Sequence, residues 1–551
     1  KELTTNYLYM KRTLTITALL LAAIGCRPVP DATLEGRVTL DGRPVAGVLV
    51  SDGTQIVETN KNGKYFMISD KADSVVFITT PSGSVAVSED GLRPGFWAAL
   101  TEAPDKVERH DFKLVSENQE RYNVLFFPDI HLSNDPRRND IRRFQEKVAP
   151  YIREKASDME GPVYLMNLGD LTHELYWYEF DFNESDAYNM LAELELPLKM
   201  YSVTGNHDHD GAIVGEDVDF RSAWIYRKVW GPDRYSVNIG NDHWVFLDNI
   251  IYVNEEGKGK KAPGIRGDRS YLESFTPKQL AWLEKDLSYV PDSCNVYICT
   301  HCPFFHGSNI SEGRATLPDE QLTFIDSLCT RFEHKVLNFA GHIHKFDFFS
   351  KKEYPSFFQY GLPCASGVMW ETPEEYSLYC SDGSEAGLMN GTCVAGIPME
   401  LSFETYDHGK RNYSIYDMNS VGKAYKNSAE VKIQRKKAPE RADYSNRKFR
   451  NSIFVNWWTW YPGCTIEMFE NGKALQVNAA RHEDPVNNFT YDLPQLAHPV
   501  KHHAVRNNVS CIHMFEAKAS KTDSPVEVIF KNEKGEELYR ETIARPLPFI
   551  F

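Results

Sequence analysis

The sequence predicts an α/β core flanked on both sides by β-rich regions, and three observations carry that prediction. Short apolar runs alternate with amphipathic stretches from about residue 120 to 375, the texture of strands exchanging with helices. Before this region, short apolar runs are separated by Asp41-Gly42 and Asn62-Gly63, dipeptides that favour tight hairpins. After about residue 385 the chain again reads as strands, in Tyr413–Tyr416, Ser452–Trp460 and Val526–Phe530. The expected boundaries are a leader over 10–26, a β-sandwich over 34–115, an α/β domain over 120–375 and a C-terminal β domain over 385–551.

The leader comes first. Met10-Lys11-Arg12 supplies a charged start, Leu14 to Ala23 is almost wholly apolar or Thr, and Ala23-Ile24-Gly25-Cys26 closes the run with small residues. The run is too short to span a bilayer and fits an export signal. It resembles the lipobox of bacterial lipoproteins, with Ala23 where Leu is usual. That resemblance implies a lipid on Cys26, a membrane anchor, and a place in the periplasm or at the outer membrane or cell surface. Residues 1–9 are then expected to lie outside the natural protein. The next stretch, with Leu34–Val38, Val48–Val50 and Tyr65–Met67 as strands, resembles the carboxypeptidase-regulatory-like and immunoglobulin-like sandwich modules of secreted bacterial proteins.

In the central region the expected strands are Val124–Phe127, Val163–Leu168, Met200–Val203, Trp244–Leu247, Val296–Cys299 and Val336–Ala340, with helices over Arg142–Lys155 and Pro277–Leu287. The net charge of −16 and the lack of a Lys/Arg-rich run argue against nucleic acid as the main partner. Aromatic residues at 13% argue against disorder. Ten cysteines are present. An exported chain is free to form disulfides, and Cys380 with Cys393, which bracket a Gly-rich loop, is the expected pair. Cys299 and Cys302 are expected to be buried thiols.

Ten of the 17 histidines fall between residues 131 and 344. Several follow expected strand ends, where α/β folds place their ligand sites. Read in order, these ends carry Asp129-Ile130-His131, Gly169-Asp170, Gly205-Asn206-His207-Asp208, His301, and Gly341-His342-Ile343-His344. Carboxylate oxygen, amide oxygen and imidazole nitrogen suit Mn, Fe, Zn or Co, and the set lacks the thiolates of a structural zinc site. Seven ligands are too many for one tetrahedral ion and fit two ions that share a carboxylate. Two such ions about 3.5–4 Å apart clamp a phosphoryl group undergoing in-line displacement. Each element alone is a common turn or core feature; all five in one order, each after an apolar run, are not.

In that order the motifs resemble the calcineurin-like metallophosphoesterase superfamily, over about residues 122–375. "GPDRYSVNIGNDHWVFLDN" and "TPKQLAWLEKDL" extend the resemblance, and "NGTCVAGIPMELSFETYDHGKRNYSIY" and "CIHMFEAKAS" carry it into a C-terminal domain found in a bacterial subgroup. The resemblance implies a four-layer α/β/β/α sandwich. It implies a first metal held by Asp129, His131 and His344, a second held by Asn206, His301 and His342, and Asp170 bridging both. His207 would serve the leaving oxygen, oriented by Asp208. The implied activity is hydrolysis of a phosphate mono- or diester in the cell envelope by in-line attack of a metal-bridging hydroxide. Many relatives read G-D-x-x-D/E after the bridging aspartate, whereas this chain reads Gly169-Asp170-Leu171-Thr172-His173-Glu174.

Around the motifs, Arg137, Arg138, Arg142 and Arg143 would either meet an extra anionic group or form a solvated helix face. Tyr176-Trp177-Tyr178 would either wall a pocket or pack beneath the loop, and His209 and His306 are candidate lining residues. Core packing is expected of Trp457, Trp458 and Trp460. The substrate class stays open among small-molecule, lipid and sugar phosphoesters. An alternative of another class is a non-catalytic binding or scaffold lipoprotein, which would bind no transition metal.

Overall fold

The computed structural model describes residues 31–257, 262–309, 312–395, 397–409, 411–499 and 511–551. The expected leader and Cys26 lie outside them. Among the described residues no helix is long and apolar enough to cross a membrane.

Two sheets form the centre. The first runs, in spatial order, 199–202, 163–167, 121–127, 387–394 and 397–405; the first three strands are parallel and the last two antiparallel. The second runs 234–239, 242–247, 295–300, 336–340, 354–361 and 347–351, with a parallel middle and an antiparallel strand at each edge. Strand Arg121–Phe127 shows why they stack. Its continuous apolar run is buried on both faces, as in sheets covered on two sides. Val124 and Phe126 join the core between the sheets, where Phe126 stacks on Phe339 at 4.1 Å. Leu125 and Phe127 point the other way, into the helices that carry Phe144, Val148, Ile152 and Leu191. Helix Pro277–Leu287 covers the outer face of the second sheet through Trp282, Leu283 and Leu287. Its start is fixed by a reciprocal cap between Thr276 and Gln279. The four layers are thus helix, sheet, sheet, helix, as expected.

All six expected central strands form, five of them within a residue or two of the expected bounds and Val124–Phe127 extended back to Arg121. The helix expected over Arg142–Lys155 runs from Asp140 to Asp158, with a wider turn at Phe144–Val148. Five further strands complete the two sheets, and one of them, Arg234–Ile239, forms a hairpin with Asp242–Leu247 across Gly240-Asn241.

The N-terminal region is a β-sandwich of sheets built around strands 34–40 and 49–51. It shares its core with the second central sheet. Phe77 packs on Trp282, whose indole donates to Ser51 Oγ at 3.1 Å, and Thr79 Oγ1 lies 2.9 Å from Ser236 Oγ. The C-terminal region has two four-stranded sheets. Three features there differ from expectation. Strands Gly387–Val394 and Ile397–Thr405 belong to the first central sheet, because Gly387–Val394 pairs with Arg121–Phe127, so the separate β region begins after them. Helices Met418–Asn427 and Ala429–Lys437 interrupt the strands. No disulfide joins Cys380 to Cys393, nor any other pair among the described cysteines. Cys380 Sγ points to the Cys364 carbonyl at 3.3 Å, whereas Cys393 sits on a strand opposite Tyr122. Cys299 and Cys302 are buried as expected, and Trp457, Trp458 and Trp460 all pack in cores.

Candidate metal centre

The strand ends converge at one edge of the two sheets. Asp129 follows strand 121–127, Asp170 follows 163–167, Asn206 follows 199–202, His301 directly follows 295–300, and His342 and His344 follow 336–340. The chain must turn hard there. Asp129, His131, Asp170, His342 and His344 all adopt positive φ, between 53° and 69°, a region that non-glycine residues rarely enter and that clusters at functional sites. Glycine makes the approach possible at two points. A Cβ on Gly341 would lie 2.5 Å from Asp129 Oδ2, and one on Gly169, at φ +87°, would lie 2.6 Å from His301 Nδ1.

Side-chain atoms meet in two adjoining groups that share Asp170. In the first, His131 Nε2 lies 3.0 Å from His344 Nε2 and 3.8 Å from Asp170 Oδ2, and His344 Nε2 lies 3.3 Å from Asp129 Oδ1. In the second, His301 Nε2 lies 3.2 Å from Asp170 Oδ2, 3.0 Å from Asn206 Oδ1 and 3.2 Å from His342 Nδ1. His301 is oriented by its other nitrogen, 2.8 Å from the Leu168 carbonyl. Imidazole nitrogens facing one another beside carboxylates fit cations held between them, and borderline N/O donors fit transition metals. All seven sequence-predicted ligands are therefore together.

Burial works against charge on His131, Asp170, His207 and His301. It pushes His131 well below the ordinary imidazole value. Burial also opposes charge on His301, but Asp170 outweighs it and lifts the imidazole to about 10. The Asp170 carboxyl is held well below the usual range despite burial, by His301 and then His207. His207 is likewise raised against burial, by Glu174 and then Asp170.

His207 stands beside the first group, its ring 5.1 Å from that of His131. The expected orienting partner, Asp208, does not touch its ring. The Asp208 carboxylate is turned inward and accepts from the amides of Gly205 at 2.7 Å and Asp170 at 2.9 Å, holding the two loops together. Glu174 takes the orienting role instead. It is 1% exposed, and Oε2 lies 2.5 Å from His207 Nδ1 while Oε1 accepts from Arg269 Nε. Arg269 also places Nη2 3.3 Å from His207 Nδ1. Sequence reasoning missed both roles. The acid in Gly169–Glu174 was visible, one place later than in many relatives; nothing in the 262–273 stretch pointed to Arg269. His173 lies against the His207 ring at 4.4 Å and the Tyr176 ring at 4.8 Å, walling the site.

The other candidate residues are mostly structural. Arg138 and Arg143 are buried, Arg138 donating to the His131 carbonyl and Arg143 to the Trp370 and Thr372 carbonyls. Arg137 pairs with Asp135, and Arg142 with Glu146 and Glu374. The four therefore form no anion cluster: Arg138 and Arg143 are fold contacts, and Arg142 lies on an exposed helix face. Tyr176 and Trp177 are buried, and Trp177 donates to Thr172 Oγ1; Tyr178 is exposed and donates to Asp210. His209 Nδ1 lies 2.9 Å from the Gly205 carbonyl and its ring stacks on Tyr252, while His306 Nδ1 lies 3.2 Å from Asp347 Oδ2.

A family model described as calcineurin-like phosphoesterase matches residues 122–346. Models for the N-terminal and C-terminal parts of calcineurin-like phosphoesterases match residues 32–117 and 361–538. The chain belongs to the calcineurin-like phosphoesterase family and is a phosphoester hydrolase with a candidate His/Asp metal-binding cluster. No curated protein matches it. Among solved structures it is similar to a purple acid phosphatase from yellow lupin seeds (11% identity, TM-score 0.36, 66% of this chain and 68% of that one). It is also similar to a dimetal phosphatase from Danio rerio (13%, 0.31, 52% and 96%) and a 5'-nucleotidase from Candida albicans (13%, 0.29, 53% and 52%).

Proposed function

We propose that the protein is a two-metal phosphoesterase that hydrolyses a phosphate mono- or diester. Asp129, His131 and His344 would hold one ion, Asn206, His301 and His342 the other, with Asp170 shared. The observation that carries this reading is the pair of adjoining ligand groups joined by one carboxylate. When bound, the ions supply an activated water and offset phosphoryl charge. The chain's own residues do the rest. His207 delivers a proton to the leaving oxygen from Nε2, because Nδ1 is engaged by Glu174. Arg269 keeps Glu174 ionised and supplies positive charge beside the leaving group. His173 and Tyr176 exclude water on that flank.

The test is metal analysis together with p-nitrophenyl phosphate and bis-p-nitrophenyl phosphate hydrolysis under Mn, Fe, Zn and Co. About two ions per chain and turnover of one ester are expected; a chain that binds no ion is the scaffold alternative. The sequence of residues 10–26 supports an exported lipoprotein anchored through Cys26, acting on envelope phosphoesters. Labelling with a radioactive fatty acid that persists in Cys26→Ser would remove that part of the reading.

A further inference from the structure

A loop of the catalytic core, Cys380–Ser384, runs between the metal-ligand turn and the C-terminal sheets. On one side, Ser381 Oγ donates to the His344 carbonyl at 3.3 Å, and Asp382 Oδ2 accepts from the Phe346 amide at 2.9 Å. On the other, three polar groups of the C-terminal sheets and the helical turn beside them grip the loop. His513 Nε2 lies 3.2 Å from Asp382 Oδ2, Asn456 Nδ2 donates to the Asp382 carbonyl at 2.7 Å, and Asn487 Nδ2 donates to the Cys380 carbonyl at 3.0 Å. His513 Nδ1 lies 2.7 Å from Asn456 Oδ1, which ties the gripping residues to each other. A second strap reaches the opposite ligand: Cys380 Sγ meets the Cys364 carbonyl, and Cys364 Sγ donates to the Asp129 carbonyl at 2.9 Å.

These groups are deeply buried; Asp382 and Asn456 are 0% exposed and His513 1%. The fit is close as well. Gly383 has φ +81°, and a Cβ there would lie 1.9 Å from the Asp484 carboxyl carbon. Burying a charged or amide group costs several kcal/mol unless its hydrogen bonds are made, so the C-terminal unit commits costly buried polar residues to this one loop. The turn they hold is under tension, since His342 and His344 both sit at positive φ. A turn of that kind persists only where its surroundings over-determine it.

We propose that the C-terminal β unit is a working part of the metal centre: the Cys380–Ser384 loop, gripped at Asp382 by His513 and Asn456, positions the His342–His344 turn through Asp382 on the Phe346 amide and Ser381 on the His344 carbonyl. Asp382, Asn456 and His513 are positioning residues, acting through His344 and touching no reactant. The inference rests on the two-metal reading of the site.

The experiment is Mn titration of the purified full chain, reading stoichiometry and affinity by equilibrium dialysis, with thermal melting alongside. The variants are His513→Leu, His513→Gln, and Val528→Ala, a buried control in the apolar core of the same C-terminal unit. His513→Leu is expected to weaken one of the two ions about 10–100-fold, the usual effect of losing a partner behind a ligand. His513→Gln, which keeps a donor toward Asp382, is expected to recover most of it and covers the case in which His513→Leu fails to fold. Val528→Ala is expected to lower the melting temperature and leave both affinities unchanged. Wild-type affinity in both His513 variants overturns the inference and leaves the two-metal reading intact, as does an equal loss in Val528→Ala. A wild-type chain that binds no ion overturns both.

Discussion

The ligands were legible residue by residue because each sits in a short motif at a strand end, where local spacing carries the chemistry. Asp129 and His131, or His342 and His344, are two apart and need only one turn to face the same way. Glu174 and Arg269 were not legible in their roles, because their meeting at His207 is made through space by two loops that share no pattern. Asp208 shows the reverse error: the family resemblance implied that it orients His207, yet its side chain is spent on the Gly205 and Asp170 amides. The distinction is measurable. His207→Ala is expected to lower kcat by about 10²–10⁴-fold, the usual worth of a proton-transfer group. Glu174→Gln is expected to lower kcat about 10–100-fold with metal content unchanged. Asp170→Asn is expected to lose both turnover and bound metal. Steady-state kinetics with metal analysis on the three variants checks these expectations, and wild-type kcat in Glu174→Gln would return the orienting role to another group.

At the scale of elements, the strands declared themselves through apolar runs, and Pro277–Leu287 through its amphipathic pattern. Helix Met418–Asn427 did not, because its buried stripe of Met418, Val421 and Tyr425 lies inside a stretch whose neighbours read as strands. A second element-level feature is electrostatic. The short helix Val218–Ser222 brings Asp219 close to the carboxyls of Asp233 and Asp248, beside Arg227. Burial, with help from Asp233, lifts Asp219 to about 6. Its folded-state pKa therefore lies above its unfolded value, and the folded chain keeps a proton the unfolded chain has released between the two. Stability from this group falls as pH rises from the ordinary carboxylate value to about 6 and is level above. Asp219→Asn, which can still accept from the Tyr252 amide, is expected to gain about 2–3 kcal/mol over wild type at pH 7 relative to pH 4. Urea unfolding at the two pH values measures it; an equal difference at both would exclude the carboxyl as the cause.

Across the whole molecule, the three-part organisation was readable but its seams were not. Composition distinguishes β from α/β texture; it does not say which surfaces are shared. The N-terminal sandwich and the second central sheet share one apolar core, in which Trp282 is 1% exposed. Trp282→Ala is therefore expected to cost about 3–5 kcal/mol and to destabilise sandwich and core in one transition, followed by denaturant melting with probes in each. Separate transitions would show the sandwich to be an independent module.

The seam at the other end has a consequence for how the protein is made. Strand Arg121–Phe127, from whose end Asp129 and His131 project, has one side paired early, with Val163–Asn167, and the other side only with Gly387–Val394. On a ribosome that second side stays bare until synthesis has passed Val394, after every metal ligand has already been made. An unpaired edge is an invitation to other strands, and contacts so distant in sequence form slowly. The nascent chain thus carries its full set of metal ligands well before the sheet that aims them is closed, and a product ending near residue 375 would expose that edge permanently and be recovered as aggregate.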